Sequence, residues 1–265
     1  MRLTRVFVDM PLASDAQLQL PAGPAQHLAR VLRLAAGDEF IVFNGQGGEF
    51  AATIDSVSRD QVVVRIGAHQ AIERESPLAT TLLQGIARGE KMDQIVQKAT
   101  ELGVTRVVPV LTTRSTVRLD AAAAARKQEH WRAVGIGACE QCGRNRVPEV
   151  ARPMALPAAL AEASAHIKLV LTPDEGATSM ASQATALKAS ANSVALLVGP
   201  EGGFDAEEMN LARMHGYVAC HLGPRVLRTE TAAPAALAAL QLACGDLGDA
   251  QAAAAAILPR VRRPC

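Results

Sequence analysis

Apolar residues arrive along this chain in two different rhythms. Over residues 1–72 they come as short runs, Val6-Phe-Val8, Phe40-Ile-Val-Phe43, Glu49-Phe-Ala-Ala-Thr-Ile54 and Gln61-Val-Val-Val-Arg-Ile66, separated by turn residues. That spacing predicts a small β-rich domain, with Gly45, Gly47 and Gly48 turning a hairpin between the second and third runs. A helix is predicted over 24–34, with His27, Arg30 and Arg33 three residues apart on one face. Such a face is either simply solvated or a surface for phosphate. Residues 68–77, with Glu73, Arg74, Glu75 and Pro77, read as a linker.

From Ala79 the period changes. Continuous apolar runs at 81–86, 107–111, 167–171 and 194–198 read as strands, and the segments 92–102 and 122–142 between them read as helices. Strands alternating with helices predict a mostly parallel α/β sheet. Asp205 and Glu208 form a capping box that opens a further helix, which Gly216 closes. Another strand runs into Gly223. The apolar stretch 234–244 then predicts a buried helix capped by Thr229 or Thr231, with Gln241 its only polar interruption.

Open α/β sheets bind ligands beyond the carboxyl ends of their strands. Three such ends carry loops of glycine, proline and charge: Leu171-Thr172-Pro173 with Asp174 and Glu175, Gly199-Pro200-Glu201-Gly202-Gly203-Phe204, and the turn after Leu222 that holds Gly223, Arg225, Arg228 and Glu230. Arg88, Lys91, Arg114 and Arg118 follow two other strand ends.

Charge sharpens the picture. The formal net charge is only +1, yet residues 85–152 hold twelve basic residues against seven acidic ones, a local net of +5. A basic middle in a near-neutral chain points to a local anionic partner or to a basic helix surface. The densest polar run, Glu140-Gln-Cys-Gly-Arg144-Asn145-Arg146-Val-Pro-Glu149, lies inside it. Its arginines either grip phosphate or hold the fold through Glu140 and Glu149.

Several chemistries are disfavoured. Cys139 and Cys142 make a lone C-x-x-C, and six scattered histidines show no zinc spacing, so no metal is expected. No G-x-S-x-G elbow, no P-loop and no G-x-G-x-x-G is present. Glu201 would repel a phosphate but suit a cationic ligand, unless it merely caps a helix. Backbone polar groups, apolar side chains and one carboxylate fit S-adenosylmethionine, which has an adenine edge, a cationic sulfur and an α-amino group. The five cysteines lack a regular pattern, and no apolar run is long enough to span a membrane, so a cytoplasmic location is expected.

The strings G-P-E-G-G-F at 199–204, L-G-P-R-V-L-R-T-E-T-A at 222–232 and C-E-Q-C-G-R-N-R-V-P-E at 139–149 resemble the RsmE family. R-G-E-K-M at 88–92, H-L-A-R-V-L-R at 27–33 and G-D-L-G at 245–248 agree. These are ribosomal RNA small-subunit methyltransferases of the SPOUT class that make 3-methyluridine. The resemblance implies a PUA-like β-barrel over 1–72 and a SPOUT α/β domain over 73–248, with a mostly parallel, trefoil-knotted sheet. It leaves the tail 249–265 without a role.

The resemblance also implies a homodimer without metal, acting on small-subunit ribosomal RNA or the assembled 30S particle. S-adenosylmethionine would lie against Leu171, Thr172, Pro173, Leu197, Gly199, Pro200, Glu201, Gly202, Leu222, Gly223, Val226, Leu227 and Thr229. His27, Arg30, Arg33, Arg88, Lys91, Arg114, Arg144, Asn145 and Arg146 would meet RNA. Arg225 and Arg228 would stabilise a uridine anion, and Glu201 or Glu230 would accept its proton. Another SPOUT activity, on a ribose hydroxyl or another base, and a non-catalytic assembly factor are the alternatives.

Overall fold

The computed structural model describes residues 3–58, 61–115, 119–174, 176–187 and 192–247. The chain forms two compact units. One gathers the residues up to Glu75 together with Cys139–Val147, and the other takes Ser76–Ala138 and the described residues from Pro148 onward.

In the first unit, five strands lie in the order Arg5–Phe7, Glu39–Phe43, Glu49–Val57, Val62–Gln70, Gln17–Gln19. The first pair is parallel and the rest antiparallel. Alternate residues of these strands, among them Phe40, Val42, Ile54, Val64 and Ile66, close on one core with Val6, Val8 and Leu28. The hairpin turn holds Gly45, Gly47 and Gly48 at φ of 80°, 101° and 67°, a region closed to most side chains. The edge strand Gln17–Gln19 carries one apolar residue, too few to announce itself by pattern.

The predicted helix over 24–34 is shorter and irregular. An α-helical turn, Ala22–Gln26, runs into a π-helical turn, His27–Val31, where Leu32 N–H donates to His27 O. Arg33 lies past it at φ 55°, so His27, Arg30 and Arg33 do not share the face that a regular α-helix would give them.

The boundary expected at residue 72 also moves. Residues 68–70 continue a strand, and Cys139–Val147 joins the first unit. A buried polar network explains this. Arg5 pairs with Glu49 at 2.5 Å and bonds Asn145 Oδ1; Asn145 Nδ2 donates to Glu49 at 3.0 Å and to Ile72 O at 2.6 Å. Arg74 reaches Glu49 at 3.1 Å and Gly143 O at 2.8 Å. Buried charges survive only when paired and hydrogen-bonded, so segment 139–147 completes this interior. Glu140 accepts from Phe7 N–H at 2.9 Å, although burial still leaves its pKa raised.

The second unit is a parallel sheet in the order Thr178–Ser179, Val218–His221, Ile167–Leu171, Ser193–Val198, Ala79–Gly85, Arg106–Leu111, Glu149–Val150, with Met154–Ala155 also paired to Arg106–Leu111. Strand alternation sends Leu82, Leu169, Leu196 and Val198 to one face and Leu83, Val170, Ala195 and Leu197 to the other. Helices Lys91–Glu101, Ala121–Cys142 and Thr229–Cys244 supply the first face; Leu156–Glu162 and Ala206–Met214 supply the second. Trp131 is buried, and its Nε1 donates to Asp93 at 3.1 Å.

The last helix departs from expectation in two ways. It starts at Thr229, with Arg228 as N-cap and no side-chain cap, so Pro234 sits inside it. Its buried face is Ala233, Ala236, Leu237 and Leu240, and Gln241 is buried too, donating to Leu102 O at 3.0 Å and accepting from Ser76 Oγ at 2.6 Å. Leu242, by contrast, is 68% exposed.

Candidate cofactor and methyl-transfer site

The carboxyl ends of Ile167–Leu171, Ser193–Val198 and Val218–His221 open into a cavity of about 950 Å³ within the second unit. The three loops read from sequence build its walls. Leu171, Thr172, Pro173, Gly199, Pro200, Glu201, Gly202, Leu222, Gly223, Val226, Leu227 and Thr229 all line it, as do Arg225 and Arg228. Leu197 does not. It packs into the opposite core, because adjacent strand residues face opposite ways, and Val198 takes the cavity side. Sequence reasoning also missed Asp174, Cys220, His221 and Pro224 in the walls; they neighbour the expected residues in the same loops. Glu175, Arg118, Gly248 and the tail 249–265 lie outside the described residues.

The glycine loop is pinned from three sides. Gln84, buried in strand Ala79–Gly85, donates from Nε2 to Thr229 Oγ1 at 2.9 Å and to Gly199 O at 3.3 Å. Thr229 donates in turn to Gly199 O at 2.7 Å, so its hydroxyl serves the loop and not the helix end. Arg114 donates to Gly202 O at 3.0 Å. The capping box at Asp205 and Glu208 is present, and Glu208 also accepts from Thr113 N–H at 2.8 Å. In the neighbouring turn His221 Nδ1 accepts from Gly223 N–H at 3.1 Å.

Glu201 does not cap the following helix; Asp205 does. Glu201 Oε1 accepts from Arg88 N–H at 3.2 Å and lies 3.2 Å from Lys91 Nζ. Lys91 Nζ is also 3.6 Å from Glu230 Oε2. Partial burial works to raise the Glu201 pKa, but the backbone amides and the Lys91 ammonium outweigh it and hold the carboxyl below its usual value. Lys91 therefore stands between two carboxylates and lines the cavity, and is not a bare phosphate contact.

The expected RNA contacts divide. Arg30, Arg33, Arg88 and Arg114 are exposed and His27 is half-buried. Arg144 and Asn145 are buried: Arg144 pairs with Glu75 at 2.5 Å, and Asn145 belongs to the Arg5–Glu49 network. Buried there, they hold the first unit together, Arg144 through Glu75 and Asn145 through Arg5 and Glu49. Arg146 stays 54% exposed, 3.4 Å from Glu73. Among the described residues no cluster of His, Cys, Asp and Glu could hold a metal ion.

The cavity fits S-adenosylmethionine. Its volume lies in the range of small-molecule sites. Leu171, Val198, Leu222 and Leu227 offer apolar cover, and Asp174 and Glu201 offer carboxylates for a cation. Gly223, at φ 108°, has open space where a Cβ would stand, leaving its backbone approachable.

This is the construction of an RNA methyltransferase. A model described as an RNA methyltransferase domain matches residues 74–241, and one described as an RNA methyltransferase PUA domain matches residues 25–67. Ribosomal RNA small subunit methyltransferase E of Buchnera aphidicola subsp. Schizaphis graminum is 32% identical over 247 residues, covering 93% of this chain and 98% of that protein. The Bacillus subtilis protein of the same name is 34% identical over 218 residues, covering 81% and 85%. Among solved structures, a methyltransferase of Legionella pneumophila in complex with SAM superposes with TM-score 0.88 at 41% identity, covering 93% of this chain and all of that one. Ribosomal RNA small subunit methyltransferase E of Neisseria gonorrhoeae bound to S-adenosyl methionine gives 0.86 at 33% identity, covering 92% and 99%. The chain belongs to the RsmE family of ribosomal RNA small subunit methyltransferases.

Proposed function

We propose that this enzyme transfers a methyl group from S-adenosylmethionine to N3 of one uridine in small-subunit ribosomal RNA. The observation that carries the reading is the cavity: three glycine- and proline-bearing strand ends enclose one ligand-sized space, with Glu201, Arg225 and Arg228 on its walls. The cofactor, when bound, supplies an electrophilic methyl on a cationic sulfur. Leu171, Gly199, Leu222 and Leu227 would hold it by backbone and apolar contact, and the Glu201 and Asp174 carboxylates complement its positive charge.

Uridine N3 carries a proton and faces its pairing partner, so the base must leave any stack before it can enter the cavity. The chain's own part is to orient N3, accept its proton and offset the negative charge that then develops. Arg225 and Arg228 are exposed residues that line the cavity and suit the last task. Arg30, Arg33, Arg88, Arg114 and Arg146 supply exposed positive charge for the RNA backbone.

The reading extends to assembly and topology. A homodimer is supported by the exposed apolar residues Val226, at 80%, and Leu242. Trefoil threading is supported by Val218–His221, the last strand, lying between Thr178–Ser179 and Ile167–Leu171 and not at a sheet edge. Among the described residues no helix is long and apolar enough to cross a membrane, which accords with a cytoplasmic location. The test is nucleoside mass spectrometry after incubation with S-adenosylmethionine and small-subunit RNA or 30S particles. 3-Methyluridine is expected; methylation only of ribose, or of no nucleoside, overturns the reading.

A further inference from the structure

Two carboxylates compete for the uridine proton in the reading above, and the structure separates them. Glu201 is a cavity wall, with its side chain 29% exposed. Glu230 is not a wall: its side chain is 15% exposed, and its Oε2 is buried without a hydrogen bond. Between the two stands Lys91, the first residue of helix Lys91–Glu101, at 3.2 Å from one and 3.6 Å from the other. A base must come within hydrogen-bond reach of the proton it takes, which of these two only the cavity-lining Glu201 can do. A buried carboxylate oxygen lacking hydrogen bonds needs a counter-charge, and Lys91 is the one beside Glu230.

We propose that Glu201 is the catalytic residue that takes the N3 proton, and that Lys91 is a positioning residue holding Glu201 in place from the part-buried anchor Glu230. The proposal rests on the uridine-N3 reading. The N3–H bond breaks and its proton goes to Glu201; the freed electron pair forms the N3–methyl bond. As it forms, the methyl–sulfur bond breaks and its pair stays on sulfur, leaving a neutral thioether. Glu201 then releases the proton to solvent through the open cavity mouth. Lys91 and the Arg88 amide converge on Oε1 and hold that oxygen in place.

Three separate strand ends supply the chain Glu201–Lys91–Glu230, so it forms only when the loop at 199–204 and the start of helix Thr229–Cys244 are both in place. The other charged or titratable groups on the same cavity are Arg114, Asp174, Cys220, His221, Arg225 and Arg228. The arginines there offset the charge of the deprotonated base.

The test is single-turnover methyl transfer by the full-length enzyme across pH, with S-adenosylmethionine and small-subunit RNA, comparing wild type with E201Q, E230Q, K91M and K91R. Cofactor affinity is read by calorimetry. At saturating S-adenosylmethionine, E201Q should lose about 100-fold or more in rate at neutral pH, beyond any loss of cofactor affinity that goes with the carboxylate, and recover rate at alkaline pH as uridine ionises unaided. Glu201 must be ionised to act, so activity falls as pH drops through its pKa. Removing the Lys91 ammonium raises that pKa, so the acid limb of K91M should move to higher pH. K91R should return it, and E230Q should lower the single-turnover rate less than E201Q does. A rate for E201Q within about tenfold of wild type with the same pH profile overturns the base. An acid limb in K91M that stays at the wild-type position overturns the positioning role, and this arm stands even should E201Q misfold. A wild-type product other than 3-methyluridine overturns the uridine-N3 reading itself, and the proposal with it.

Discussion

At Gly85, in the strand beside the glycine loop, a methyl group would stand 2.6 Å from the backbone nitrogen of Pro200 and closer still to its Cδ. Backbone cannot yield as a flexible side chain can. Gly85→Ala should therefore displace loop 199–204 and weaken S-adenosylmethionine binding by at least about tenfold, the effect of a contact worth about 1.4 kcal/mol; calorimetry on the folded variant checks it. Thr229→Val makes a second residue-scale prediction. The swap keeps the volume but removes the nearer donor to Gly199 O and one of three acceptors of the Gln84 amide, which keeps Gly85 O and Gly199 O. Losing such hydrogen bonds costs about 0.5–1.5 kcal/mol each, which should appear as a lower Tm in calorimetry. Neither partner was legible in the sequence. Thr229 read as a helix cap because local rules see only neighbours along the chain, whereas its hydroxyl answers to Gln84, 145 residues away. Leu197 was misassigned for a simpler reason: a fully buried strand is apolar on both faces, so its pattern does not say which residue faces the ligand.

Among the elements, helix Ala206–Met214 was the most legible, because a capping box is a local device written in four residues. What the sequence did not reveal is that Glu208 serves twice, accepting from Asp205 N–H through one oxygen and from Thr113 N–H through the other. Glu208→Ala should thus lower Tm more than Asp205→Ala does. It should also loosen the 112–115 loop, seen as faster hydrogen exchange at Thr113. Equal shifts for the two variants would show that the Thr113 contact adds nothing. Helix Thr229–Cys244 was legible in type but not in extent or facing. Its first turn holds Thr229, Glu230 and Thr231, which look like cap and loop residues, and its one central polar residue is the one turned inward toward Leu102 and Ser76. The π turn at His27–Val31 left no trace in the pattern at all, since one widened turn barely shifts the spacing of Leu28 and Leu32.

At the scale of the whole molecule, the two rhythms of apolar residues did announce two kinds of architecture, and the strand ends announced the site. The excursion of Cys139–Val147 into the first unit was hidden, because its signal is a dense polar run that reads equally well as a nucleic-acid surface. Arg5 and Arg74 face Glu49 across that interior, and Arg144 faces Glu75. Burial alone would raise the Glu49 pKa, but hydrogen bonds from Arg5 and Asn145 and the charges of Arg5 and Arg74 more than offset it, so it lies below its ordinary 4.5. A depressed carboxyl pKa contributes stability above its unfolded value and loses it as pH falls through the folded one. The first unit should therefore weaken below about pH 4.5, and Glu49→Gln should flatten that dependence in acid titrations followed by circular dichroism.

The same burial decides between the two readings of the arginine pair. Removing one partner of a buried ion pair costs about 3–5 kcal/mol, so Arg144→Ala should lower Tm by several degrees. Arg146, exposed and loosely paired with Glu73, should change stability by less than about 0.5 kcal/mol when replaced by alanine. If it meets a phosphate in the RNA complex, its loss should make the slope of log affinity against log salt shallower by about 0.7, the share of one single-strand contact. Fluorescence anisotropy with small-subunit RNA over a salt series measures that slope, and thermal melts of the same samples measure stability. An Arg144→Ala protein with wild-type Tm and a shallower salt slope would return Arg144 to the RNA surface; a lower Tm with the slope intact keeps it in the interior beside Glu75.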